Sequence, residues 1–575
     1  MAVRVWAPRA TKVELEVGGR RSDMIETGAG WWQSRVEVPF GVDYAFCLEG
    51  GPPRPDPRSQ FQPRGLHGSS QRVDHSRFKW DDKRWQAPPL PAAVIYELHV
   101  GTFTPEGTFD AVIQKLPHLV DLGVTHVELM PVNEFPGKRG WGYDSVDIFA
   151  VHHGYGGPEG LKRLVAACHR AGLAVLIDVV YNHMGPAGNY LHEFGPYFSD
   201  RHSTPWGWAV NFDGPQSDEV RRFFIDNALM WLRNYHADGL RLDAIHAIVD
   251  TSAIPFLEQL ASEVSDLSAH LGRHLVLIAE SDLNDPRVVR NWEIGGFGYD
   301  AQWSDDFHHA LHTVLTGEQE GYYADFGRLS DLALALRQNF VYAGRYSAFR
   351  GRKHGRATLG LSGHRFLGYL QNHDQLGNRA QGDRSSHLMS RGRLKVGAAL
   401  VLTSPFVPML FQGEEWAATS PFQFFTDFEE PELAKAVREG RPKEFAAFGW
   451  SPDEIPDPQD PATFERSKLK WKELGSSPHD ELLDWHKKLI ELRRQESVLT
   501  DGRLEKVGVE FDEEARWLVV ERGGITIVCN LGVKRQLVPV GDDRPHTLRL
   551  ASEPNVEIRE NGVELPPDSV AILGK

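Results

Sequence analysis

The sequence predicts an α/β fold: a (β/α)8 TIM barrel flanked by an N-terminal β-sandwich and a C-terminal β-domain. Three observations lead there. Eight apolar runs of strand length recur between residues 92 and 411, each separated from the next by helical sequence. No Gly-rich dinucleotide turn follows the first run, Val94-Ile-Tyr-Glu-Leu-His-Val100, as an open doubly wound sheet would want. Before residue 92 and after residue 496, period-two alternation broken by Gly and Pro replaces the helical texture.

The elements follow in order. Val3-Arg-Val-Trp6, Lys12-Val-Glu-Leu-Glu-Val17, Trp31-Trp-Gln-Ser-Arg-Val-Glu-Val38 and Tyr44-Ala-Phe-Cys-Leu48 alternate as sandwich strands. A Pro-rich connector, from Pro53-Arg-Pro-Asp-Pro57 to Ala87-Pro-Pro-Leu-Pro91, completes a first domain of residues 1–91. The barrel, 92–496, has strands at 94–100, 124–131, 174–180, 239–243, 275–280, 299–303, 365–371 and 407–411. Helices are expected at 108–122, 157–171, 217–235, 254–271 and 480–496. A Gly/Pro/aromatic-rich insertion, 184–216, is longer than a βα loop needs and is expected at the active site. Strands at 516–521, 525–529 and 570–573 mark a C-terminal β-domain, 497–575.

Composition narrows function. The chain has 575 residues with 63 Lys and Arg against 79 Asp and Glu, a formal charge of −16, which argues against a nucleic-acid partner. No window approaches the roughly 18 apolar residues of a membrane span. Neither a secretory signal nor a disulfide framework is visible; the three cysteines (Cys47, Cys168, Cys529) are few and far apart. The expectation is a cytoplasmic protein without membrane association.

Four strand ends carry chemistry. The third strand ends Asp178-Val-Val-Tyr-Asn-His183, and the fourth reads Gly239-Leu-Arg-Leu-Asp-Ala-Ile-His246. The fifth breaks an apolar run with Glu280, and the seventh closes Tyr369-Leu-Gln-Asn-His-Asp-Gln-Leu-Gly-Asn378. C-terminal strand ends of a barrel face one cleft, so Asp243, Glu280 and Asp374 should converge with Arg241, His183 and His373. Like-charged acids repel, and glycosidic cleavage is a reaction that needs them: one attacks the anomeric carbon while another donates a proton. Arg241, two positions before Asp243, should hold that acid ionised; Glu280, against apolar neighbours, should have a raised pKa. Trp next to Gly or polar residues, as around Trp141 and in Pro205-Trp-Gly-Trp208, suits sugar stacking.

These four segments resemble, in order, the signature regions of the α-amylase superfamily of glycoside hydrolases, which share a (β/α)8 barrel and a retaining mechanism. The resemblance implies Asp243 as nucleophile, Glu280 as acid/base and Asp374 as stabiliser. It further implies a structural Asp178, with Tyr143, His183, Arg241 and His373 around the reacting sugar. Within the superfamily, four stretches look like the maltooligosyltrehalose trehalohydrolase family. They are Leu129-Met-Pro-Val-Asn-Glu-Phe135 leading into Trp141-Gly-Tyr-Asp144, Phe411-Gln-Gly-Glu-Glu-Trp416, Ser420-Pro-Phe-Gln-Phe-Phe-Thr-Asp-Phe428, and Phe448-Gly-Trp450 to Pro456-Asp-Pro-Gln459. One departure from that family is the start, since the first strand begins almost at Met1. The family resemblance implies an α-glucan oligosaccharide substrate ending in trehalose, and a maltooligosyltrehalose synthase as functional partner. His246, Trp141 and Trp208 are the candidates for gripping the trehalose, with the 422–428 segment. A glycogen branching enzyme and a general α-amylase are the alternatives that share the acid trio.

No cofactor or metal is expected. His152-His153 and His308-His309 are adjacent pairs whose side chains should face opposite ways along a strand, so they read as structural or cleft-lining. Asn182, without a dense acidic loop beside it, is expected to bond local backbone or sugar rather than calcium. The run Asp427-Phe-Glu-Glu-Pro-Glu432 reads as a solvated helix start.

Overall fold

The structure, a computed structural model, describes residues 2–445, 450–541 and 547–574. Phe448 and Gly449, from the fourth stretch quoted above, lie outside the described residues.

Eight parallel strands close a barrel: β1 (Ile95–Leu98), β2 (His126–Leu129), β3 (Ala174–Val179), β4 (Gly239–Leu242), β5 (Val276–Ala279), β6 (Ala301–Trp303), β7 (Phe366–Gly368) and β8 (Val407–Phe411). β8 pairs back onto β1, Met409 opposite Ile95, which completes the ring. Each lies inside an apolar run identified from sequence. Strands buried on both faces carry such runs because helices cover the outside and side chains fill the inside.

Alternation along the strands builds the interior in two layers. Ile95, Leu176, Val276, Ile278, Trp303, Leu367 and Met409 form an apolar plug of their own, separate from the outer core. Two residues further along, the same inward face carries Glu97, Asp178, Glu280 and Asp305. At these four strands the period of two leads from apolar plug to acidic cleft in a single step, whereas Leu367 and Met409 are followed by Tyr369 and Phe411.

Outside the barrel, helices Gly157–Arg170, Ser217–Asn234, Phe256–Leu271 and His479–Gln495 match the amphipathic segments. The helix expected over 108–122 is two, Phe109–Ile113 and Leu116–Leu122. Pro117 is the reason: it has no N–H to donate to the Ile113 carbonyl, and its ring clashes there, so a new helix begins with Pro in its first turn.

Seven antiparallel strands precede the barrel. Three were not legible: Pro53–Arg54 and Ser70–Gln71, inside the stretch read as a connector, and Arg20–Gly28, whose mostly polar residues do not alternate. The first half of Arg20–Gly28 pairs with Val13–Val17 and its second with Trp31–Glu37, so it joins the two halves of this β-region. After the barrel, five strands in the order Val507–Asp512, Trp517–Arg522, Ile525–Asn530, Ser569–Gly574, Thr547–Ala551 face a three-stranded sheet. Val519, Val528, Val538, Val563 and Leu573 form the core between them. Among the described residues, no helix is long and apolar enough to cross a membrane.

Candidate active site

A cavity of about 520 Å³ opens over the C-terminal ends of the strands. That is the size range of small-molecule sites. Its walls include Asp243, Glu280 and Asp374 together with Trp141, Tyr143, His183 and His246. Arg241 and His373, both buried, lie beneath that wall.

Arg241 organises the floor. Its Nη1 donates to Asp178 Oδ2 at 2.7 Å and to Asp243 Oδ1 at 3.1 Å, while Nη2 donates to Glu280 Oε2 at 2.6 Å. The guanidinium carbon lies over the Trp303 ring, 4.1 Å from its centroid, a cation–π contact. One planar fork therefore holds acids from three neighbouring strand ends at once. The sequence reading gave Arg241 to Asp243 alone; here its shortest contact is with Glu280.

Asp243 has a second anchor. Asn182 Nδ2 donates to Asp243 Oδ2 at 2.7 Å and to its backbone carbonyl at 2.9 Å. Asn182 was expected to serve local backbone or sugar; its amide instead pins the acid. Immediately after Asp243 the chain turns sharply, and Ala244 sits at φ 39°, ψ 50°, a left-handed conformation that costs a β-carbon residue about 1 kcal/mol or more. That turn aims the Ala244 N–H at Glu280 Oε2, 2.9 Å away. Glu280 Oε2 is thus doubly held, and Oε1 accepts no hydrogen bond from the described residues.

Burial pushes the carboxyl pKa values of Asp243, Glu280 and Asp374 up, against the pull of Arg241 on the first two and of His373 on the third. Both Asp243 and Glu280 therefore move in the same direction, and Arg241 alone does not hold Asp243 in the ordinary range. Asp305, unforeseen from sequence, is pushed up to about 7 by burial although Tyr369 OH donates to it at 2.6 Å. It follows Trp303 by two residues, the same alternation that exposes Glu280 after Ile278, so the signal was present.

His373 is a buried cation. Its Nδ1 meets Glu97 Oε1, and its Nε2 stands 2.7 Å from Tyr143 OH, which donates on to Asp178 Oδ2 at 2.6 Å. Both ring nitrogens thus face acceptors, the pattern of an imidazolium. Burial opposes the charge, but Asp374 and Glu97 outweigh it and carry the pKa up to about 9. Glu97 and its register partner Glu128 were also missed; burial pushes Glu128 well up. Each is an acid inside a barrel strand, which alternation could have flagged.

The remaining candidates divide. His183 stacks on Trp206 with ring centroids 4.5 Å apart, and burial lowers its pKa to about 4, leaving a neutral ring at the cleft. Trp206 lines the cavity, whereas Trp208 is 67% exposed on strand Gly207–Val210 and is absent from its wall. The hairpin turn puts the two tryptophans in different places, which spacing could not reveal. Of the 422–428 segment, Phe424 lines the cavity, while Phe422 and Phe425 pack behind Trp141. His309 lines the cleft, and His308 is buried beside it. The run 427–432 does lead into a helix, Pro431–Phe445, with exposed Glu432 in its first turn, but Asp427 itself accepts from the Lys138 N–H at 2.8 Å and pairs with Arg139.

The comparisons agree with this picture. The alpha amylase catalytic-domain family matches residues 73–215, and a domain of unknown function, DUF3459, matches residues 502–572. A malto-oligosyltrehalose trehalohydrolase from Mycobacterium tuberculosis is 52% identical over 99% of this chain and 98% of its own. One from Rhizobium sp. is 49% identical over 99% and 97%. A Salmonella typhimurium crystal structure, provisionally named an alpha amylase, superposes with a TM-score of 0.92 at 39% identity, covering 100% of this chain and 97% of that one. A barrel with acids on neighbouring strand ends, and half its residues shared end to end with these relatives, places the chain in the malto-oligosyltrehalose trehalohydrolase family of the α-amylase superfamily.

Proposed function

We propose that this chain hydrolyses the α-1,4-glucosidic bond next to the terminal trehalose of maltooligosyltrehalose, with retention, releasing trehalose and a maltooligosaccharide. The observation that carries the chemistry is Arg241 bonded at once to Asp243 and Glu280 at the cleft floor. In the first step Asp243 attacks the anomeric carbon, and the proton of Glu280 passes to the oxygen of departing trehalose. Water then attacks the glycosyl-enzyme, Glu280 takes its proton, and the maltooligosaccharide leaves with Asp243 ionised again.

Environment supports this division of labour. Asp243 is held by Asn182 and Arg241, donors that favour a carboxylate. Glu280 keeps Oε1 without such a donor, and burial raises its pKa, the direction a proton donor needs. Asp374, held by Asn378 Nδ2 at 3.4 Å and facing His373 Nε2 at 3.5 Å, is placed to bond ring hydroxyls. Tyr143, His183, Arg241 and His373 surround the sugar, and Trp141, Trp206, His246 and Phe424 supply the trehalose-gripping wall. A synthase that makes the trehalose end is the functional partner this reaction requires. Three buried, unpaired cysteines suit a cytoplasmic enzyme.

The branching-enzyme and general-amylase alternatives share the acids and differ in what the leaving-group wall rejects. Maltopentaose and maltotriosyltrehalose present the same scissile bond, so kcat/KM measured for both under one condition separates them. Two or three polar contacts to trehalose give about a hundredfold preference or more for the second substrate. Equal values would contradict the proposal.

A further inference from the structure

His152 and His153 take no part in this reaction, yet the fold brings both to one carboxylate. Strands Asn133–Glu134 and Asp147–Val151 pair antiparallel with Asn133 opposite Val151, so the residues after Val151 return beside Glu134. Adjacent side chains of a regular strand would diverge. Here the strand has ended, and the chain winds directly into the short helix His153–Tyr155, so both rings face Glu134.

One ligand atom from each of the three residues lies within 4.8 Å of the other two. His153 Nδ1 lies 2.7 Å from Glu134 Oε1, and His152 Nδ1 lies 3.3 Å from the same oxygen. Donors at 2.0–2.1 Å from a tetrahedral ion stand about 3.3 Å apart. Glu134 Oε2 accepts the His153 backbone N–H at 2.9 Å, an outer bond that fixes the carboxylate's orientation. Glu134 and His152 are wholly buried, and neither ring nitrogen of His152 has an aligned hydrogen-bond partner among the described residues. Buried polar atoms left in that state are rare and costly. His153 is partly exposed and lines a second cavity of about 290 Å³, which offers an ion a way in and a water room to bind.

We propose that Glu134, His152 and His153 bind a divalent transition-metal ion, Zn2+ in preference, with water as the fourth ligand. Two imidazoles and a carboxylate with one open position suit Zn2+ in donor type and number. The ion would brace the segment leading into the cleft. Phe135 stacks on His152 with centroids 3.8 Å apart, and Ser145 Oγ donates to the Glu134 carbonyl at 2.8 Å; Trp141 and Tyr143 lie between. The site is distinct from the acids of the cavity above.

The test uses the full chain stripped of metal with a chelator. Zn2+ titrated against a competing chromophoric chelator should bind at one equivalent per chain, and should raise Tm by about 3–6 °C. Co2+ in its place should give the intense visible bands of a four-coordinate site. His153→Gln should abolish both stoichiometric binding and the Tm rise. So should Glu134→Gln, which keeps the side chain's shape and serves if the first variant does not fold. Substoichiometric binding without a Tm rise, or full binding retained in either variant, would overturn the proposal.

Discussion

Two layers of the barrel interior stand one alternation apart on the same strands and follow opposite rules. In the lower layer Ile95, Leu176, Ile278 and Trp303 are buried among one another, and nothing there needs a partner beyond contact. In the upper layer Glu97, Asp178, Glu280 and Asp305 replace them, and the acids outnumber the cations Arg241 and His373 that serve them. Burying a charge costs several kcal/mol unless it is paired. The lower layer therefore stabilises the barrel, and the upper layer draws on that stability to keep reactive acids dry. Substitutions in the two layers should separate stability from activity.

The largest expected effect is in the upper layer. Asp243→Ala should lower kcat by about 10^4-fold or more, because the covalent step is lost. Its Tm should stay close to the parent value, since Arg241 keeps Asp178 and Glu280 and a buried acid is gone. Ile278→Ala, two residues before Glu280, should do the reverse. It should cost about 2–5 kcal/mol in denaturant unfolding. Activity measured well below its Tm should remain within about threefold of the parent. A barrel in which Asp243→Ala unfolded, or Ile278→Ala lost catalysis without losing stability, would erase the distinction between the layers.

A smaller effect belongs to His373. Its pKa rises from the ordinary 6.5 to about 9 on folding, so the stability it contributes is complete below pH 6.5 and is lost as pH rises through 9. Tm should accordingly fall across that window, and His373→Gln should flatten the fall. The same titration should weaken the field on Asp374, giving the kcat profile a basic limb near pH 9 that the variant lacks. An unchanged Tm slope in the variant would mean that His373 does not carry the charge.

The eight strands and the acid trio were legible because both follow from a period of two written in apolar residues and broken by acids at the ends. The same rule could have reached Glu97 and Glu128, which sit within strand sequences that look ordinary until the inward face is known, and Asp305, which opens the helix just after the sixth strand. What was not legible depended on backbone geometry between elements. The Asn182 amide reaches Asp243 across two strand ends, 61 residues apart in sequence. Trp206 and Trp208 exchange roles according to a hairpin turn, and His152 and His153 converge because a strand stops one residue earlier than alternation assumes. Arg20–Gly28 pairs through its backbone while its side chains stay mostly exposed and polar, so no hydrophobic pattern announced it.

The assignment of Asp243 as the covalent partner in a cleft built on Arg241 is open to direct chemical inspection. A 5-fluoro-α-glucosyl fluoride forms the glycosyl-enzyme but slows its hydrolysis, because fluorine destabilises the positively charged transition state of the second step. Digestion and mass spectrometry then locate the sugar on the chain. The expected result is one labelled peptide with the added mass on Asp243, and no label in Asp243→Ala. A label on Glu280 or Asp374, or persistent labelling of Asp243→Ala, would contradict it.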